Sequence, residues 1–392
     1  MDTSSTAMQG PPSRSRNSPP IERCASCALP KHSKVVRFCG DSECLLCAHS
    51  KKQPPQTTGS TSESKPELED VIDNIRRRGT HREYDCLVGL SGGRDSSYLI
   101  YLLAKKYGLR CLSAYYRTPF TPNVTHQNVA RISKRLRIEV VPIDISRDFH
   151  LSFAKKFFAI WRERPLPEIA NLMCAPCKFV NGKVFEIARA HKVPTVVWGG
   201  NPYEDVQFLP SFQEETADLG LTGDSSLSRQ VRRLLRILRR GIPVLIKCPS
   251  VLWYLPTCIK ASLLIGINSP YLKFKHPDIH RLEYFQYTDW DEKECEKTIQ
   301  KELGWELPPG CISSWRSDCT LSDLKNYMFK QMTGVTYVEA MWSNLIRSGK
   351  MDREEAIEKL SCHSGLSWDN IRKTLKTMDL PESVIDEIKE KP

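Results

Sequence analysis

The chain lacks any apolar run long enough to cross a bilayer as a helix, so a membrane-spanning reading has no support. Its first residues, Met1 and Asp2 followed by a stretch rich in Ser, Pro and Arg, contain no apolar core of the kind a secretion signal needs. No segment repeats at a fixed period, which excludes a solenoid or propeller. No G-x-x-x-x-G-K-[ST] loop occurs, so the Walker-type phosphate site is missing. Glycine, at 20 of 392 residues, is far too sparse for a collagen repeat. The expectation is a cytoplasmic protein in a reducing compartment, with no membrane partner.

What is present is ordinary in bulk. Hydrophobic residues make up 40% and charged residues 26%, which fits a folded chain and excludes wholesale disorder. The length allows two or three structural units. The net charge, 57 − 46 = +11, suits RNA, nucleotides or phosphorylated substrates without choosing among them. Cysteine is abundant, at 15 residues. In a reducing compartment that points to metal or thiol chemistry rather than to disulfides.

Composition divides the chain. Residues 1–22 read as a disordered tail and 23–50 as a compact cysteine-rich module. Residues 51–66 read as a flexible Ser/Pro/Thr linker. From residue 67 to 215, apolar runs alternate with helical patterns. Helices are expected over 66–78, 98–107, 126–136 and 178–190, and strands over 84–90, 111–116, 139–145 and 195–198. That rhythm predicts a parallel sheet with crossover helices, which binds ligands at the carboxyl ends of its strands. After about Phe212 the rhythm is lost. Residues 216–300 form a basic, substrate-type region, and 301–392 read as several short helices.

Leu90-Ser-Gly-Gly-Arg-Asp-Ser-Ser lies directly between a strand and a helix. Gly92 and Gly93 let the backbone approach an anion, and the helix N-terminus adds a positive dipole end. Ser91 and Ser96 offer hydroxyls, and Arg94 offers charge. Asp95 beside phosphate suggests magnesium or a hydrogen-bonding role within the loop. The plain alternative is a glycine turn whose Asp and Ser cap a helix. The same letters also suggest the signature loop of ABC transporter ATPases, but that reading requires a Walker loop elsewhere. The sequence instead resembles the S-G-G-x-D-S loop of the PP-loop ATP pyrophosphatases. The resemblance implies a Rossmann-like, HUP-type α/β fold that holds ATP and Mg2+. It implies cleavage of ATP between the α- and β-phosphates, adenylation of a carbonyl oxygen, and displacement of AMP by a nitrogen or sulfur nucleophile. In that reading Asp95, Ser96 and Arg94 are catalytic. Ser91, Gly92, Gly93 and Ser96 bind the nucleotide, and Gly199, Gly200 and Asn201, after the fourth strand, face nucleotide or substrate.

Cys24-x2-Cys27 and Cys44-x2-Cys47 have zinc-ribbon spacing, with Cys39 as a fifth thiol that could replace one of them. Four thiolates leave no open position, so a Zn2+ there is structural. Cys174-Ala-Pro-Cys177 has three readings: a redox or sulfur-carrying pair, part of an iron–sulfur cluster with Cys248 or Cys258, or a structural pair. Cys111 is either a sulfur carrier or a small buried hydrophobe.

Taken in order, the paired cysteines, the loop from Tyr84 to Tyr98, Cys174-Ala-Pro-Cys177 before Val197-Trp-Gly-Gly, and Asp318-Cys319 resemble the N-acetyl sugar amidotransferases of bacterial surface-glycan pathways. The resemblance spans most of residues 23–360. It implies a sugar-nucleotide substrate and ammonia delivered by a partner glutaminase subunit. Gly200 stands where the resemblance leads one to expect an acidic residue, with Glu204 or Asp205 as the candidates to compensate. Paired cysteines around such a core also resemble tRNA thiolation enzymes, which implies a sulfur donor and an RNA or small-molecule acceptor. The segment Arg229-x2-Arg232-Arg233-x2-Arg236-x2-Arg239-Arg240 could track a phosphate backbone, or could be an amphipathic helix with a solvated basic face. A third reading, a nucleotide-sensing scaffold without catalysis, is opposed by the intact loop.

Overall fold

The computed structural model describes residues 21–52, 67–204, 241–311, 313–363 and 366–390. Most of the expected tail and linker, Asp205, and the basic segment from Arg229 to Arg240 lie outside them.

At the centre is a five-stranded, all-parallel sheet in the order β5-β4-β3-β6-β7. The strands are β3 (Cys86–Gly89), β4 (Cys111–Tyr115), β5 (Glu139–Pro142), β6 (Thr195–Trp198) and β7 (His280–Glu283). A separate two-stranded hairpin, β1 (Phe38–Cys39) and β2 (Glu43–Cys44), belongs to the cysteine-rich module. The α/β expectation is therefore met. Every residue of β4 is buried, as expected of an interior parallel strand covered on both faces. Alternation along β3 sends Leu87 into one apolar core and Cys86 and Val88 into the other. The first core is closed by α7 (Ala175–Ala190), through Val184, Phe185 and Ala188. The second is closed by α2 (Leu68–Gly79), α3 (Arg94–Tyr101), α4 (Asn123–Leu136) and α10 (Glu292–Leu303).

The order places the strand of the glycine loop, β3, beside β6, with the chain winding outward to β4 and β5 on one side and to β7 on the other. This is a topological switch point, where loops at the carboxyl ends diverge and leave a crevice. The residues 90–93 and 199–204 border that crevice.

β7 is a correction to the expected loss of α/β rhythm after Phe212. It reads His-Arg-Leu-Glu, and only Leu282 is buried. An edge strand with one apolar side chain carries no legible period. Helices α5 (Arg147–Glu163) and α6 (Pro167–Leu172) are among those not expected, as are the helices at Leu255–Leu263, Pro270–Lys275 and Glu292–Leu303. Helix α3 starts at Arg94 rather than Tyr98, and α7 at Ala175 rather than Lys178. Both helices absorb part of their motifs: Ser96 and Cys177 lie in first turns.

A third core joins α5, α6, the cysteine-rich module and the C-terminal helices, among them α11 (Leu321–Thr333) and α12 (Tyr337–Arg347). The module is docked on this region. Arg23 pairs with Glu339 at 2.8 Å, both nearly buried, and Arg353 donates to the Cys24 carbonyl at 2.8 Å. No described helix is long and apolar enough to cross a membrane.

Candidate functional site

The loop between β3 and α3 is held open at the backbone and closed by its own side chains. Gly92 has φ +81°, and a Cβ there would sit 2.7 Å from the Thr125 carbonyl oxygen, so no other residue fits. Its own carbonyl accepts from Trp305 Nε1 at 2.9 Å. The Ser91 and Ser96 hydroxyls are 3.1 Å apart, Gly93 N–H donates to Ser91 Oγ at 3.2 Å, and Ser97 Oγ donates to the Gly93 carbonyl at 2.7 Å. No side chain caps the N-terminus of α3. The first-turn N–H groups, which have no intrahelical acceptor, therefore face the crevice beside an exposed Ser91. Free N–H groups of this kind are the chemistry an anion needs.

Arg94 does not contribute as the sequence suggested. Its side chain is turned inward, leaving the residue 2% exposed, and pairs with Asp95 through Nε (2.9 Å) and Nη2 (3.2 Å). Nη1 meets Glu292 and Ser314 Oγ, the latter at 2.7 Å, and the guanidinium lies 4.7 Å from the Trp290 ring centre. Burial opposes its charge, but Asp95 and Glu292 outweigh that and raise its pKa. Asp95 is committed to the same knot, accepting also from Trp290 Nε1 at 3.0 Å. Arg94 thus locks the base of the loop; it does not reach toward a phosphate.

Asp318 brings a carboxylate from the C-terminal region against the loop. A Cβ on Gly93 would come within 3.3 Å of its Oδ2. Neighbouring Arg316 pairs with Glu204 at 2.8 Å. Burial raises the pKa of Glu204; Arg316 opposes this, while Asp95 and Asp318 reinforce it. Acidic groups from three segments (95, 204 and 318) therefore lie within electrostatic reach of one another, with Arg316 and Arg94 as counter-charges.

On the β6 side, Gly199 packs closely, since a Cβ would lie 3.0 Å from Phe285 and 3.1 Å from Leu99. Gly200 is exposed, and the Glu283 carboxylate, at the end of β7, accepts its backbone N–H. Burial pushes the Glu283 carboxyl up to about 7, against the pull of that hydrogen bond. Glu283 thus brings an acidic group to the position where Gly200 lacks one; Glu204 is engaged by Arg316. Asn201 is 9% exposed; its Oδ1 accepts from Tyr203 N–H at 2.9 Å, and its Nδ2 is buried with no partner. An orphaned buried donor at the switch point fits a bound acceptor.

Cys174 occupies the N-cap position of α7. The expected partners Cys248 and Cys258 are buried in the third core, against which Cys174 and Cys319 also pack. The cysteine that joins the pair is Cys319, which lies within electrostatic reach of both Cys174 and Cys177 and follows Asp318 directly. Cys177 Sγ also lies 3.6 Å from His150 Nε2, whose Nδ1 meets the Tyr116 hydroxyl at 2.8 Å. Burial lowers the pKa of His150 to about 4. Cys111 is buried against Cys86, with sulfurs 3.6 Å apart across the β3–β4 register, and behaves as core.

Cys24, Cys27, Cys44 and Cys47 are all buried, with sulfurs within 4.8 Å of one another. The Cys24–Cys47 and Cys27–Cys44 distances are 3.9 and 3.8 Å. A tetrahedral Zn2+ with bonds of about 2.3 Å requires edges of about 3.8 Å, so the donor set fits that ion. Cys39 is exposed and outside the cluster.

Sequence reasoning missed Glu292, Trp290, Ser314 and Glu283. They lie far from the motifs in sequence, and their side-chain directions had no signal. Asp318 and Cys319 were visible only as a dipeptide.

No family model matches the chain. It is 24% identical over 128 residues to an uncharacterised protein of Methanocaldococcus jannaschii, a match covering 32% of this chain and 43% of that relative. The match thus spans less than half of the relative's length. Among solved structures it is similar to NMN synthetase from Francisella tularensis (TM-score 0.34, 14% identity, 81% of this chain and 98% of that one). It is also similar to the NH3-dependent NAD synthetase from Campylobacter jejuni (TM-score 0.26, 13% identity, 57% of this chain and 96% of that one). At such scores the fold is argued from the sheet itself. Sheet order and loop together define an α/β protein with a glycine-rich strand–loop–helix at its switch point.

Proposed function

We propose that the protein is an ATP-dependent amidotransferase. The loop would hold the β- and γ-phosphates of ATP. A carbonyl oxygen of the acceptor attacks the α-phosphorus, pyrophosphate leaves, and the resulting adenylate is displaced at carbon by ammonia. AMP departs carrying the former carbonyl oxygen. The chemistry needs this order because an amide oxygen is a poor leaving group and an adenylate a good one. The observation that carries the reading is the uncapped N-terminus of α3 and the Gly92–Gly93 turn after β3, with an orphaned Asn201 amide in the segment after the adjacent strand β6. A bound magnesium would screen the developing phosphate charge, with Asp318 and Asp95 as the carboxylates at hand. The favoured acceptor is the N-acetyl group of a sugar nucleotide, with ammonia from a partner glutaminase. The test is pyrophosphate and AMP release with N-acetylated nucleotide sugars and ammonia, using acceptor labelled with heavy oxygen at the acetyl carbonyl. Label appearing in AMP supports the reading; release with no acceptor dependence, or no label, sinks it.

One observation favours a second reading, sulfur transfer to a nucleobase: Cys319 lies within electrostatic reach of Cys174 and Cys177. Three thiols suit an iron–sulfur cluster. Iron with matching acid-labile sulfide in protein purified without oxygen, lost in Cys319→Ala, would move the assignment to thiolation. Zinc alone leaves the amidotransferase in place.

A further inference from the structure

Eight of the ten large apolar side chains exposed among the described residues fall within residues 241–275. Trp253 and Phe274 are 88% and 87% exposed, and Ile246 is 74% exposed. The segment is well anchored from beneath. It runs through helical residues 241–247, a 3-10 turn (Pro249–Tyr254), α8 (Leu255–Leu263) and α9 (Pro270–Lys275). Val251, Cys258, Ala261 and Leu272 are buried, and Asn181 of α7 donates to the Leu264 carbonyl at 2.7 Å. The outward side chains are therefore the other face of a packed element.

The same stretch contains four lysines and no Asp or Glu. Lys275 pairs with Glu186 at 3.5 Å, whereas Lys247, Lys260 and Lys273 have no carboxylate partner among the described residues. This combination discriminates among occupants. Cores of protein–protein interfaces are depleted in lysine. A second copy related by a two-fold axis would bring the same lysines face to face. Exposed Trp and Phe beside unpaired Lys instead match an anionic bilayer surface: the rings enter the headgroup region and the ammonium groups meet lipid phosphates.

We propose that residues 241–275 form a peripheral docking surface for an anionic phospholipid bilayer. Docking of this kind requires no spanning helix, so it is compatible with the lack of one. It also stands independently of the chemistry at the glycine loop. The test is co-sedimentation of the full chain with phosphatidylcholine vesicles and with mixed phosphatidylcholine–phosphatidylglycerol vesicles at low and high salt. Binding to the mixed vesicles is expected to be about tenfold stronger than to the neutral ones and to weaken with salt. Trp253→Ala/Phe274→Ala should reduce it about tenfold, and Lys247→Glu/Lys273→Glu should do the same by the other route. A blue shift of tryptophan emission on binding, absent in Trp253→Phe, would report ring insertion. Equal affinity for both vesicle types, no binding, or binding unchanged in the Trp253/Phe274 variant overturns the proposal. So does a dimer in sedimentation velocity that this variant dissolves in the absence of any vesicle binding.

Discussion

The Asp318 carboxylate lies directly over Gly93, so close that a single added carbon would come within 3.3 Å of it. A carboxylate at an anion site opposes a bare polyphosphate unless a cation stands between them. Nucleotide binding should therefore depend on a divalent ion. In titration calorimetry, chelating magnesium should weaken ATP binding at least about tenfold in the wild type. In Asp318→Asn that dependence should shrink. Equal affinity with and without magnesium in the wild type would remove Asp318 from the site.

Arg94 offers a second test, of stability as well as activity. Replacing it with Met leaves Asp95 and Glu292 buried without their counter-charge. Loss of one partner of a buried pair costs about 3–5 kcal/mol. Denaturant unfolding should show a loss of that order for Arg94→Met. The loss should be smaller at pH 5 than at pH 8, because burial already raises the pKa of Glu292 and, without Arg94, protonation relieves its charge at the lower pH. Arg94→Lys should be intermediate, keeping the charge but not the two-point contact to Asp95. It follows that Asp95→Ala tests folding together with turnover, and Asp95→Asn is the cleaner probe of chemistry.

The parallel sheet, its strand-to-helix rhythm and the glycine loop were legible because each is written locally. An apolar run, a turn and a helix period stand next to one another from Cys86 to Tyr101. The cysteine knot was legible for the same reason: spacing alone brings Cys24, Cys27, Cys44 and Cys47 together. What escaped is non-local. Arg94 looked like a phosphate ligand because it sits inside a glycine–serine loop; its partners Glu292 and Ser314 lie some two hundred residues away. The third thiol was sought at Cys248 or Cys258 because they are nearer in sequence, whereas the fold brings Cys319. β7 escaped because an edge strand needs no apolar run.

The four-thiol knot should carry about one zinc per chain. Its cysteines are part of the same core as Leu321, Leu324 and Tyr327, so metal loss should not be confined to the module. Cys44→Ser should lose zinc by elemental analysis and lower the melting temperature of the whole transition, while Cys39→Ser changes neither. A metal-free protein with an unchanged melting temperature would exclude a structural zinc.

Glu283 makes a prediction whose sign is fixed by its environment. Its carboxyl titrates at about 7 in the folded chain, raised by burial from 4.5. The unfolded chain loses that proton first, so ionised Glu283 is a cost to the native state. The cost is absent below about pH 4, grows between 4.5 and 7, and is complete above 7. Glu283→Gln removes the titration while keeping an acceptor for the Gly200 N–H. The variant should be more stable than the wild type at pH 8, by about 3 kcal/mol, and indistinguishable at pH 4. If the carboxylate also contacts the acceptor or the nitrogen nucleophile, turnover at pH 8 should fall in the same variant although its fold is firmer. Opposite movements of stability and turnover would place Glu283 in the site. Stability gained with turnover unchanged would leave it a buried acid at the edge of the sheet.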